Sequence, residues 1–296
     1  MKKEASVDQP VHVPVLLQEV IEHLDLGKGE TVFDGTYGAG GYTRAILERV
    51  NPTGRVVATD QDPQVIKREQ KKTPDNVTLV HANFSEISEI SEEKFDGLVL
   101  DLGISSDQLE DRERGISFRF PEAELDMRMN TSPDNHLTAW GILHSWEEKE
   151  IADAIYKYAD ERYSRRIARA IVARRGESKL ETVGDLIETI ESVVKRSGKI
   201  HPATKTFQAL RIIVNNEIGN LETFLQNVSK VTAPGARLVI VTFHSLEERT
   251  VKHAFRDMEH TGLGKRGIKK SLAPTRDELK INPRARSARL RSFIFN

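Results

Sequence analysis

The residues Asp34-Gly35-Thr36-Tyr37-Gly38-Ala39-Gly40-Gly41 follow a short apolar run and precede a stretch with helical spacing, which is the layout of a nucleotide-cofactor loop. Glycines at Gly38, Gly40 and Gly41 let the backbone turn tightly and approach a ligand, and the amides opening the next helix present a positive end to an anion. Asp34 places an acid where a dinucleotide fold normally carries glycine. An acid there suits S-adenosyl-L-methionine, whose amino-acid end carries an ammonium and a carboxylate, better than it suits a pyrophosphate. A glycine-rich turn without a ligand is the plain alternative, because such matches are common.

Other polar residues stand just past apolar runs. Asp60 lies about 20 residues beyond the glycines, where a carboxylate can accept hydrogen bonds from both ribose hydroxyls. Phe84 is placed to lie against an adenine face or to be a core aromatic. Asp101 opens Asp101-Leu102-Gly103-Ile104-Ser105-Ser106, where the reactive end of a cofactor and its substrate would meet. If the acceptor is an exocyclic amine, its lone pair is delocalised into the base, and an acceptor that holds the N–H groups turns it toward the methyl group; proximity supplies much of the rate. The alternative for Asp101 is a cap on the following loop. His244 stands near the same edge and could touch substrate, although Ser245-Leu246-Glu247-Glu248 reads as a capping box with Ser245 as N-cap. His12 is a similar candidate, and neither histidine is assigned as a base.

The elements that position these residues alternate. Strand-like runs at Thr31–Phe33, Arg55–Thr59, Val77–Val80 and Phe95–Leu102 enclose helical stretches at Tyr42–Val50 and Pro63–Lys72, the pattern of βαβ units and a parallel sheet. Asp62 and Pro63 suit the N-cap and first position of the second helix. Ligands of such sheets sit beyond the carboxyl ends of the strands, which here carry Asp34, Asp60, Asn83, Asp101 and His244.

The alternation stops after the fourth strand. Ile151, Ala154, Ile155 and Tyr158, then Ile167, Ala170 and Ile171, then Val183, Leu186, Ile187 and Ile190 recur at helical spacing, as core stripes of a helical insertion. A fifth strand at Arg237–Phe243 follows the turn Ala233-Pro234-Gly235, and a last one at Ala288–Phe295 closes the chain. Phe207, Leu210, Val214 and Ile218 give the helical stretch Thr206–Val228 a buried face assigned to the sheet. The expected organisation is a discontinuous α/β domain over 1–104 and 206–296, with an all-helical insertion over 105–205.

The chain has 296 residues, 38% of them hydrophobic, enough for a sizeable core. No apolar run approaches a membrane span, and Met1–Pro10 is polar without a signal-type stretch, so a cytoplasmic, non-membrane protein is expected. The absence of cysteine excludes disulfides, iron–sulfur clusters and the usual structural zinc sites, and no metal is expected. Net charge is −1, but the positive charges cluster. Six arginines lie between Arg162 and Arg175, and ten lysines and arginines face two acids between Thr261 and Asn296. Each cluster is a solvated face or part of a polyanion-binding surface.

These residues resemble the bacterial 16S ribosomal RNA cytosine-N(4) methyltransferases. The resemblance runs from His12-Val13-Pro14-Val15-Leu16-Leu17 through DGTYGAGG at 34, LDLGISSDQL at 100, ERGISF at 113, LDMRM at 125, RIARAIV at 166, HPATKTFQALRI at 201 and TFHSLEER at 242 to Asn282-Pro283-Arg284-Ala285-Arg286-Ser287. It implies a class I, Rossmann-like methyltransferase sheet with a helical insertion that helps recognise RNA. The implied activity is transfer of a methyl group from S-adenosyl-L-methionine to the exocyclic N(4) amine of a decoding-centre (P-site) cytidine of the small ribosomal subunit.

The resemblance implies cofactor contacts at Gly40, Gly41, Tyr42, Asp60, Phe84, Asp101 and Gln108. Many members carry histidine where Tyr42 stands, so the contact implied there is through the backbone. Arg165, Arg166 and Arg169 fall in the insertion and are candidates for the RNA. Methylation of cytosine at ring carbon 5 normally needs a cysteine nucleophile, whereas nitrogen and oxygen acceptors do not, so the missing cysteine agrees with an amine acceptor. A nicotinamide-dependent oxidoreductase and a non-catalytic ribosome-assembly RNA-binding protein are the rival readings. Monomer and homodimer are both open.

Overall fold

The computed structural model describes residues 14–177, 179–196, 198 and 200–296. His12 and Val13 lie outside the described residues. The chain divides into two compact units, one of the residues up to Asp60 with 64–103 and 225–296, and one of residues 61–63 and 104–224.

Among the described residues of the first unit, seven strands form one sheet: β1 (Thr31–Asp34), β2 (Arg55–Asp60), β3 (Val77–His81), β4 (Phe95–Asp101), β5 (Thr232–Thr242), β6 (Gly264–Arg266) and β7 (Arg289–Phe295). Their order is β3-β2-β1-β4-β5-β7-β6. β1 to β5 pair in parallel, and β7 runs antiparallel between β5 and β6. The order reverses between β1 and β4, the point outside whose carboxyl ends doubly wound sheets bind ligands. Central strands are buried on both faces, as their Val, Leu and Ile runs require. Val32, Phe33, Leu98, Val99, Leu100, Leu238, Val239 and Ile240 have no exposed surface. Helices α1 (Leu17–Leu24), α2 (Gly41–Val50), α3 (Pro63–Glu69) and α4 (Ile87–Ile90) come from the first part of the chain.

The helical unit contains α5 (Ser106–Glu110), α6 (Ala139–Ser145), α7 (Glu148–Ala159), α8 (Ser164–Gly176), α9 (Val183–Val193), α10 (Thr204–Val214) and the start of α11 (Glu217–Asn227). Its core joins Ile151 and Ile155 of α7, Ile167 and Ile171 of α8, and Val183, Leu186 and Ile190 of α9. α12 (Ser245–His260) and α13 (Arg276–Ile281) return to the sheet unit.

Three expectations are corrected. Phe207, Leu210 and Val214 face the core of the helical unit and not the sheet, so the second boundary falls after Phe224 and not near 205. The stretch read as one helix breaks at Asn216, whose φ is 48° and whose amide bonds to the Ile213 carbonyl, giving α10 and α11. The turn at Ala233-Pro234-Gly235 lies inside β5, where pairing with β4 shifts register between Phe95 and Gly97, so it acts as a bulge. The short strand β6 has no periodicity by which to be seen.

Candidate active site

The glycine loop follows β1 and ends at Gly40, whose φ of 71° precedes the first residue of α2. A Cβ on Gly40 would lie 2.7 Å from the Tyr37 hydroxyl, and one on Gly41 would lie 2.2 Å from Cγ of Pro14. Conformation and space at Gly40, and space at Gly41, therefore demand glycine. The N-cap residue Gly40 has no side chain with which to cap α2, so amides at the helix start can be offered to an anion.

Asp34 braces this loop from below. It has no exposed surface; Oδ2 accepts from the Thr43 hydroxyl at 2.6 Å and Oδ1 from the Thr36 amide at 3.2 Å. The Thr43 amide also bonds to it, so one amide of the first turn of α2 is already taken. Burial lifts the Asp34 carboxyl to about 6, against the pull of these hydrogen bonds. The expected direct contact with a cofactor is thus corrected: Asp34 shapes the loop that would meet the ligand.

Asp60, at the end of β2, accepts the Gly38 amide at 2.8 Å. This bond fixes the loop and the expected ribose acid in one frame. Phe84 begins a short turn capped by Asn83, and its Cβ would sit 2.9 Å from a Cβ on Gly35. The aromatic ring is nevertheless largely buried, at 9% exposure.

Asp101 ends β4 and retains partial exposure. Its amide donates to the Thr36 hydroxyl at 2.7 Å, and Oδ1 accepts the Gly103 amide at 3.3 Å. Burial raises the carboxyl to about 7, opposed by the Gly103 bond and reinforced by the charges of Asp34 and Glu247. The Tyr42 hydroxyl donates to the Val15 carbonyl and also interacts with Asp101, while burial pushes its own ionisation well above the ordinary range. Tyr42 is therefore a support for Asp101 as well as a loop residue. A carboxyl near neutrality, held at the switch point of the sheet, can exchange a proton at physiological pH.

Sequence reasoning misses Thr36, Thr43 and the Tyr42 hydroxyl. Thr36 ties β1 to β4, and Thr43 satisfies the buried carboxylate. Their signal is present as hydroxyl residues flanking the glycines, but which backbone group each meets depends on the sheet register.

Gln108 lies in the helical unit, 7% exposed, and its Oε1 accepts the Ser105 amide at 3.1 Å while Ser105 Oγ accepts the Gln108 amide. Its side-chain oxygen thus closes the capping box of α5. The cap expected at Ser245 is corrected to His244. It is itself the N-cap of α12, one residue before Ser245; Nδ1 accepts the Glu247 amide at 3.3 Å, and Glu247 Oε2 accepts the amides of Phe243 and His244. Nδ1 is committed to this cap, while the buried Nε2 lies 3.0 Å from Glu247 Oε1 and has no hydrogen-bond partner among the described residues. Glu248, the expected box partner, pairs instead with Arg291 at 2.7 Å.

The basic clusters divide in the same manner. Arg165, Arg166 and Arg169 on α8 are exposed, and Arg169 meets Glu148 only at 3.7 Å with 78% of its side chain accessible. Arg175, in contrast, donates to the carbonyls of Leu143 and Trp146 at 2.9 and 2.7 Å, and Arg174 pairs with Glu188 at 2.9 Å. In the C-terminal cluster Arg266 is paired with Glu259 and Arg291 with Glu248.

Residues 9–295 match the MraW methylase family. The chain belongs to that family. Proteins named ribosomal RNA small subunit methyltransferase H are similar over almost the whole length. That of Heliobacterium mobile is 42% identical, over 95% of this chain and 97% of its own. Those of Rickettsia massiliae and Caulobacter vibrioides are 44% and 45% identical, over 95% and 96% of this chain and 97% and 95% of theirs. Membership decides against the nicotinamide reading, and S-adenosyl-L-methionine is the cofactor. The residues present fit it: a glycine turn at the start of α2 for its amino-acid part, Asp60 for a ribose, and Phe84 beside the loop. No helix among the described residues is long and apolar enough to cross a membrane.

Proposed function

We propose that this protein methylates the exocyclic N(4) amine of a P-site cytidine in 16S ribosomal RNA, within the small ribosomal subunit. The observation that carries the reading is Asp101: a carboxyl at the end of β4, tied to the glycine loop through Thr36 and raised to about 7. The relatives' names supply the RNA class, and the residues supply the chemistry.

Bound S-adenosyl-L-methionine supplies an activated methyl group on a sulfonium centre. Gly40, Gly41 and the opening of α2 would hold its amino-acid end, and Asp60 its ribose hydroxyls. The Asp101 carboxylate accepts an N–H of the amine and so turns the nitrogen lone pair out of conjugation with the ring. The proton that the amine gives up can pass to the same carboxylate, whose raised proton affinity suits it to that task. No nucleophilic side chain is needed for a nitrogen acceptor, in keeping with a chain that has no cysteine. The helical unit, with the exposed Arg165, Arg166 and Arg169, would contribute RNA recognition.

The test is incubation of the protein and methyl-labelled S-adenosyl-L-methionine with small subunits that lack the modification. Label should enter 16S RNA. A protein that binds the cofactor and subunits without transfer would be the non-catalytic assembly factor of the rival reading.

A further inference from the structure

A groove of about 610 Å³ lies in the helical unit between the start of α8, the end of α9 and the start of α10. That is the size of a small-ligand site. Arg162, Tyr163, Arg166, Lys195, Ile200 and Lys205 line it. Tyr163 is 40% exposed and Ile200 60%, so two flat or apolar side chains are offered to solvent among cations. The Arg166 guanidinium lies 5.6 Å over the Tyr163 ring, which holds ring and charge together.

The charge balance of the groove is positive. Glu161, the acid in the lining, is buried and its Oε1 accepts the Tyr163 amide at 2.9 Å. Lys205 is anchored by donating to the Asp160 carbonyl at 2.9 Å. His201, also in the lining, has its ring 5.0 Å from that of Phe118 and lies 3.3 Å from Glu191. Both α8 and α10 begin here without a side-chain cap, so their positive ends add to the cations.

We propose that this groove binds a single-stranded segment of RNA, with an unpaired base stacked on Tyr163 against Ile200 and the flanking phosphates on Arg162, Arg166 and Lys195. An aromatic face supplies stacking to any base, and surrounding cations follow the backbone, the combination by which proteins hold unpaired strands. A peptide or a second copy of this chain would match the apolar surface but leave this concentration of cations without counter-charge. The proposal rests on the ribosomal RNA reading above, because it assigns part of that substrate to a site in the helical unit.

The test uses the full chain and fluorescence anisotropy with a labelled single-stranded oligouridylate, the same strand with abasic spacers, and a duplex of equal length. Tyr163→Ala should weaken oligouridylate binding roughly tenfold, and Tyr163→Phe should retain it, since stacking needs only the ring. The abasic strand should bind wild type and Tyr163→Ala alike. The Arg162→Ala/Arg166→Ala double variant should lower the salt slope by about one to two. Unchanged affinity for S-adenosyl-L-methionine in each variant reports an intact fold. Equal binding of oligouridylate by wild type and Tyr163→Ala, a preference for duplex, or a change confined to self-association would overturn the proposal. The two readings separate cleanly: methyl transfer by wild type with RNA binding unmoved by these variants rejects only the groove, whereas Tyr163-dependent binding without any transfer rejects only the methylation site.

Discussion

The carboxyl edge of the sheet and the exposed face of α8 both carry charge, but they are built on opposite plans. At the sheet edge, Asp34 and Asp101 are held by hydroxyls and amides fixed in register, and burial shifts both carboxyls upward. On α8, Arg165, Arg166 and Arg169 project into solvent. The first plan suits a small ligand and a reacting atom, where a preorganised group acts through a single geometry. The second suits a long polyanion, where many weak contacts add up and salt controls the sum. Single substitutions should therefore cost far more at the sheet edge than on the helix.

The largest effect is expected at Asp101. Asp101→Asn should slow methyl transfer at least about a hundredfold, the usual range for a lost proton acceptor, with little change in cofactor affinity. In wild type the rate should rise with pH through about 7, as the carboxyl ionises, and level off above it; single-turnover rates on either side of that value would show the limb, and the variant should lack it. Next is Asp60→Ala, which should weaken cofactor binding by about 1–3 kcal/mol, the cost of leaving hydroxyls unmatched, as read by calorimetry. Unaltered affinity would remove Asp60 from the site.

Thr43→Val strips a 2.6 Å donor from a buried carboxylate and should cost about 1–3 kcal/mol in urea unfolding. The same experiment has a pH signature. Because the folded Asp34 and Asp101 carboxyls are raised to about 6 and about 7, their contribution to stability is complete below the ordinary carboxylate range and is lost as pH rises through those values. Asp34→Asn should flatten the lower part of that decline. The smallest effects belong to α8. Arg165→Ala with Arg169→Ala should leave stability and cofactor binding in place, weaken RNA binding and flatten its salt dependence. Arg175→Ala should do the reverse, destabilising the helical unit through the carbonyls of Leu143 and Trp146. If both variants behaved alike, the division of the arginine run would fail.

Much of the sheet is legible in the sequence because its signals are local. The apolar runs of β1, β2 and β4 each end in a polar residue that the sequence marks, namely Asp34, Asp60 and Asp101, and Asn83 follows close behind β3. Asp62-Pro63 likewise places the start of α3. What is not legible depends on partners distant in sequence. The buried face of α10 looks the same whether it meets a sheet or α7, so pattern alone gives Phe207, Leu210 and Val214 to the wrong unit. The cap of α12 turns on whether His244 or Ser245 is the last residue with extended backbone, and it is His244, at φ −139° and ψ 163°. Asp34 is visible as an acid beside glycines, yet only Thr36 and Thr43 in three dimensions show that it holds the loop. The six arginines between Arg162 and Arg175 read as one charge run, and contacts with Leu143, Trp146 and Glu188 divide them.

The central claim concerns one atom of one nucleotide. It is tested most directly by mass spectrometry of 16S RNA recovered from unmodified small subunits after incubation with this protein and S-adenosyl-L-methionine. A single added methyl group is expected on the exocyclic amine of a P-site cytidine, absent with Asp101→Asn under the same conditions. A methyl group on a ring carbon or a ribose hydroxyl, or full modification by Asp101→Asn, would contradict it.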